Sequence, residues 1–163
     1  GITPEAATLS DAFGGAAPQE TIEITPADVS RVLRELSTAE EGSPLTAVCL
    51  GTPHFSSDEW QRLVPLLGGR LSVPLYVNTG RATLDAIRTG GLLGTAERSG
   101  GIGVTDTCTY LTPILERLDG TVMTNSGKWA HYAPANLGVR VAFGELEDCV
   151  ASAIAGRVTR VTT

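Results

Sequence analysis

The chain has little positive charge: 12 Lys and Arg stand against 18 Asp and Glu in 163 residues, a net charge of −6. Wrapping nucleic acid needs clustered cations to neutralise phosphates, so that class of partner is excluded. No uncharged run escapes interruption by Gly, Thr or Pro, which excludes a membrane-spanning helix. A charged stretch leading into an apolar one is also lacking, so no secretory signal is expected. Cysteines number three, Cys49, Cys108 and Cys149, an odd count at wide spacing. That disfavours a disulfide framework and favours a reducing, cytoplasmic setting. Pairs spaced as CxxC or HxxxH are missing, as are a GxSxG elbow and a Walker loop. Metal clips, serine-hydrolase chemistry and P-loop chemistry therefore have no motif to rest on. Nineteen glycines are many, yet they follow no G-X-Y period.

What is present is a rhythm. Residues 1–19, rich in small residues, Gly and Pro, read as a lead-in segment that docks on a missing part of a larger protein. Residues 20–157 read as one α/β domain, and 158–163 as a tail. Thr21–Ile24 alternates like a short strand. Thr25-Pro26-Ala27-Asp28 starts a helix, whose stripe is Val29, Val32, Leu33 and Leu36. Apolar runs predict strands over 46–51, 73–77, 101–105, 121–123 and 139–143. Between them lie a helix with the Ser56–Glu59 capping box, a helix over 81–97 weakened by Gly90, Gly91 and Gly94, and a short helical piece at 113–118. A helix opens at Ser126 and is disturbed by Pro134; another closes the domain through Leu146, Cys149, Val150, Ala153 and Ile154. Parallel strands need crossovers, and helices must cover both faces of continuous apolar strands. The expected fold is a three-layer αβα domain with a mostly parallel sheet.

Sites in such sheets lie beyond the carboxyl ends of the strands. Both histidines, His54 and His131, and one thiol, Cys108, fall at strand exits. Cys108 follows a strand among Thr and Asp, where a thiolate can ligate iron or zinc; a small buried hydrophobe is the plainer reading. Cys49 in a strand and Cys149 on a helix stripe read as core. Ser126 caps a helix, or its helix start and Lys128 cradle an anion. His54 and His131 are acid–base groups or hydrogen-bonded structural residues.

The segments Gly51-Thr52-Pro53-His54-Phe55-Ser56, Thr105-Asp106-Thr107-Cys108, Thr124–Tyr132 and Phe143–Cys149, taken in order, resemble the aconitase X family. Thr124-Asn125-Ser126-Gly127-Lys128-Trp129-Ala130-His131-Tyr132 is the most specific of them. The opening Gly1-Ile2-Thr3-Pro4-Glu5-Ala6 resembles a segment from inside that family's large subunit, and the chain starts without Met. The resemblance implies the carboxyl-terminal part of an iron-dependent hydro-lyase acting on a small hydroxy acid. Family substrates include cis-3-hydroxy-L-proline and a mevalonate phosphate. It implies Cys108 as a metal ligand to iron or an iron–sulfur cluster, here [2Fe–2S], completed by ligands outside this chain. Ser126 then stands near the abstracted proton, and Asn125, Lys128, Thr124, His54 and His131 are substrate-binding candidates. Many members carry cysteine where this chain has Thr52, and the threonine form goes with the hydroxyproline branch. The iron would polarise the departing hydroxyl. A contrasting reading makes the chain a non-catalytic half of a composite site.

Overall fold

In a computed structural model the described residues run from Glu5 to Val161. Gly1 to Pro4, which carry part of the opening resemblance, and the last two residues lie outside them. Backbone contacts divide the chain into two compact units, Gly1–Ser30 and Arg31–Thr163. The boundary falls inside a helix, further along than residue 19.

The first unit holds α1 (Leu9–Phe13), closed at its start by a reciprocal bond between Thr8 and Asp11 and at its end by Gly14. Thr25 and Asp28 form the same reciprocal cap at the start of α2 (Pro26–Glu35). The alternation at Thr21–Ile24 makes no strand; Ile22 and Ile24 are exposed and pair with no neighbouring strand. Period-two patterning specifies a strand only where a sheet edge receives it.

The second unit is built on β1 (Leu45–Phe55), β2 (Leu75–Thr79), β3 (Gly101–Val104), β4 (Thr121–Thr124) and β5 (Arg140–Phe143). All pairings are parallel, in the order β3-β2-β1-β4-β5. The connecting helices are α3 (Ser57–Leu66), α4 (Arg81–Thr89), α5 (Leu92–Ser99), α6 (Gly127–Leu137) and α7 (Leu146–Ala155). Burial sorts them into layers. Trp60 and Leu63 of α3, Ile87 of α4, Leu93 of α5 and Cys149 of α7 pack with Val48, Leu50, Leu75 and Val77. Trp129, Ala130 and Ala133 of α6 pack on the other face with Ala47, Cys49, Val122 and Val141. The three-layer αβα arrangement with a parallel sheet is therefore as the sequence implies.

Further segments differ from the sequence reading, among them β1, which continues past residue 51 to Phe55. Gly90 and Gly91 break the helix expected over 81–97 into α4 and α5, with Gly91 at φ 77°. Residues 113–118 form no helix; Leu115 reaches the core from irregular chain. Pro134 does not disturb α6, whose ladder continues to a left-handed Gly138. The tail is partly docked: Val158 is buried and exchanges backbone bonds with Gly42 and Ser43. Beyond it, the Val161 N–H donates to the buried Asp148 carboxylate at 2.7 Å.

The exit of β1 turns at Gly51, where φ is 71°. A Cβ there would lie 2.5 Å from Phe55 Cβ and 2.9 Å from the Asn78 carbonyl oxygen. Both the left-handed backbone and the close approach demand glycine. Gly51→Ala is expected to destabilise the fold by about 2–4 kcal/mol, combining backbone strain with overpacking. Urea unfolding with an unshifted m-value checks it.

Candidate active site

Strand order reverses at β1: the chain moves from β1 to β2 and β3 on one side, then crosses to β4 and β5 on the other. Right-handed crossovers put α3 and α6 on opposite faces, so the loops leaving β1 and β4 diverge. A recess of about 320 Å³ opens there, lined by Gly51 to His54, Glu59, and Asn125 to Lys128. A larger recess, about 780 Å³, lies at the amino ends of β2 and β3, away from His54, Cys108, Ser126 and Lys128.

The carboxyl edge is tied together by a closed ring of hydrogen bonds. Ser126 Oγ donates to the Thr52 carbonyl at 2.6 Å. The Thr52 hydroxyl donates to Asn78 Oδ1 at 3.1 Å, and the Thr109 hydroxyl donates to the same oxygen at 3.0 Å. Trp129 Nε1 donates to Thr109 Oγ1 at 2.8 Å, and the Trp129 backbone N–H returns to Ser126 Oγ at 3.2 Å. Asn78 Nδ2 adds a bond to the Thr107 carbonyl at 2.8 Å. Asn125 Oδ1 accepts from Gly51 N–H at 3.2 Å, pinning the β1 turn to the β4 exit. Asn78 and Thr109 are buried, and their polar atoms have the partners a dry site requires.

A family model described as "Aconitase X third domain" matches residues 45–155. The chain belongs to the aconitase X family. It is 40% identical to a cis-3-hydroxy-L-proline dehydratase of Hypocrea jecorina, over 96% of this chain and 27% of that protein. The corresponding values for a cis-3-hydroxy-L-proline dehydratase of Pseudomonas aeruginosa are 39%, 96% and 28%. A phosphomevalonate dehydratase large subunit of Methanothermobacter thermautotrophicus is 30% identical, over 89% of this chain and 35% of its own. The crystal structure of Thermococcus kodakaraensis aconitase X in its holo-form superposes with a TM-score of 0.72 at 28% identity, covering 84% of this chain and 35% of that one. The chain thus spans about a quarter to a third of the length of these relatives.

The aconitase X domain gathers some of the residues singled out in its sequence and disperses others. His54, Asn125, Ser126 and Lys128 line the recess together. Thr124 is fully buried and accepts from Ser126 N–H at 3.1 Å, so it shapes the turn from beneath. His131 is exposed one turn into α6, edge-on to Tyr132 at 4.8 Å, and is not among the lining residues. Cys108 is half-buried in the loop after β3, against the core face that α6 covers. Arg81 at the β2 exit holds Asp106 through Nε at 2.8 Å, and Asp106 takes a left-handed φ of 64° just before the Cys108 loop. Asn78 and Thr109 are the residues that sequence reasoning passed over. The strand expected over 73–77 leaves Asn78 and Thr79 beyond its end, while the structure places both inside β2.

The thiols test how far this domain can hold a metal. Cys49 and Cys149 are fully buried in opposite core layers. Burial pushes the Cys49 thiol up to about 12, against a weaker opposing bond with Thr109. Cys149 is raised by burial first and by neighbouring Asp148 second. Neither supplies a thiolate near neutrality. Among the described residues no group of three or more His, Cys, Asp or Glu could hold a metal ion. These residues alone therefore do not make an iron–sulfur site. No described helix is long and apolar enough to cross a membrane.

Cys49 also sets an alkaline limit. Its thiol keeps its proton in the folded chain until about pH 12, whereas an ordinary thiol loses it near 9.0. The contribution of this group to folding stability is full below pH 9 and is lost as pH rises from 9 towards 12, by up to about 1.4 kcal/mol per pH unit, with Cys149 acting in the same direction. Denaturant melts across that range check the sign, with Cys49→Ala flattening the slope.

Proposed function

We propose that this domain forms the substrate-facing wall of a hydro-lyase that dehydrates cis-3-hydroxy-L-proline. The observation that carries the reading is the recess at the β1–β4 switch point, holding Ser126, Asn125 and Lys128 in a chain about 40% identical to two dehydratases of that substrate. Identity to the phosphomevalonate dehydratase subunits is lower, 29–32%. The rest of the enzyme, continuous with this chain or separate from it, supplies the opposite wall, and the setting is cytoplasmic.

In the elimination, the C2–H and C3–OH bonds break, a C2=C3 bond forms, and the hydrogen and hydroxyl leave as water. The substrate carboxylate suits the start of α6, where unpaired N–H groups, the helix dipole and Lys128 favour an anion. Asn125 and His54 complete the polar lining. Ser126 is the group proposed to take the proton alpha to the carboxylate. Its oxygen accepts the Trp129 N–H, which favours charge on Oγ, while the Thr52 carbonyl holds its proton at rest. Cys108 is the ligand this domain would lend to iron or a [2Fe–2S] cluster in the whole enzyme. A lone thiol is no cluster site, and the roles given to the recess residues stand without one.

In the whole enzyme, Ser126→Ala is expected to lower kcat on cis-3-hydroxy-L-proline about 10²- to 10⁴-fold. Lys128→Ala is expected to raise KM about tenfold or more, the loss of one charge-assisted contact. Near-normal turnover in Ser126→Ala, or faster turnover of a phosphorylated mevalonate, would overturn the reading. Iron content and the visible spectrum, with and without Cys108→Ser, decide the ligand role separately.

A further inference from the structure

We propose that Asn78 is a positioning residue that fixes the segment carrying Cys108 to the segment carrying Ser126. The inference rests on the reading of Ser126 given above.

Asn78 belongs to neither segment; it bonds the first directly and reaches the second through Thr52. Its Nδ2 holds the carbonyl of Thr107, and its Oδ1 takes the hydroxyl of Thr109, so the residues on either side of Cys108 are clamped by one amide. The amide orientation follows from chemistry: a carbonyl only accepts, so the NH2 group must face Thr107. The same Oδ1 also takes the Thr52 hydroxyl, and the Thr52 carbonyl receives the Ser126 proton. A second route closes through Thr109 and Trp129 back to Ser126. A five-residue ring of this kind has no slack, because moving any member strands a buried donor or acceptor. Asn78 is 2% exposed and Thr109 is fully buried, so water cannot stand in for a lost partner.

A purely structural amide would stabilise the fold and do nothing more. The two roles differ in what they move. A tether sets the position of Ser126 and the accessibility of Cys108; a filler sets only the melting temperature.

The experiment uses the whole enzyme bearing Asn78→Leu, which keeps the branched shape and removes every side-chain bond, or Thr109→Val, which removes the two ring bonds of one hydroxyl. Val158→Ala, a core substitution in the opposite layer, serves as the stability control. In both ring variants kcat on cis-3-hydroxy-L-proline is expected to fall about 10- to 100-fold with KM within about threefold of wild type. Iodoacetamide labelling of Cys108, read by mass spectrometry after metal chelation, is expected to speed up roughly fivefold or more as the loop loosens. Cys49 and Cys149, buried in the core, provide the unreactive internal standard. Should Asn78→Leu fail to fold, Thr109→Val carries the same two measurements. Turnover and labelling that match Val158→Ala overturn the proposal, as does faster labelling with unchanged turnover. A wild-type enzyme inactive on that substrate would instead sink the reading of function, and the labelling ratio would still decide on the tether.

Discussion

A central strand bonded on both edges and covered on both faces is the constraint on which the rest of this domain depends. β1 pairs with β2 from Val48 to Phe55 and with β4 from Leu45 to Cys49. Its side chains alternate between the two apolar layers, Val48 and Leu50 to one and Ala47 and Cys49 to the other. Over Ala47 to Leu50 the strand has no solvent face, so that run must be apolar. It also becomes the point where strand order reverses, and the divergence of the loops there creates the crevice at the carboxyl edge of the sheet. The position of the recess is thus a consequence of how the sheet is wound.

The polar chemistry at that crevice is stacked on the apolar framework. Below the rim, Thr52, Asn78, Thr109 and Trp129 satisfy one another in the dry interior. At the rim, Asn125, Ser126 and Lys128 face the recess. Ser126 belongs to both levels: it caps α6 through the Trp129 N–H and bonds the β1 exit through Thr52. A dry, fixed support beneath a half-open rim is what orientation of a small ligand requires.

Much of this was legible in the chain itself. The strands announced themselves because buried parallel strands are continuous apolar runs, and Ser56 with Glu59 marked the start of α3 through a local reciprocal cap. Strand-exit reasoning located Ser126, Asn125 and Lys128, since those residues follow β4 directly; His54, expected beyond a strand ending at residue 51, lies in the last part of β1, past the turn at Gly51. Thr21–Ile24 misled because alternation is a local signal, whereas a strand exists only with a partner. Residues 113–118 misled because apolar spacing cannot distinguish a helix from irregular chain pressed on a core. In the sequence Asn78 falls at a strand exit and shows no role, for a deeper reason: Asn before Thr-Gly has the composition of a turn, and only long-range partners make it a strand residue. Cys108 was found by position, yet nothing in its neighbours' spacing shows that Thr107 and Thr109 are held from β2.

The partners that meet Asn78 and Ser126 are far apart along the chain: Thr52 lies 26 residues from Asn78 and 74 from Ser126, and Thr109 lies 31 from Asn78. No peptide excised from this domain can therefore contain the ring in miniature. Contacts of such sequence separation form only after the loops between them have been closed by the sheet. The ring is a product of completed topology, with no local precursor, and its integrity reports on the assembly of the first four strands at once.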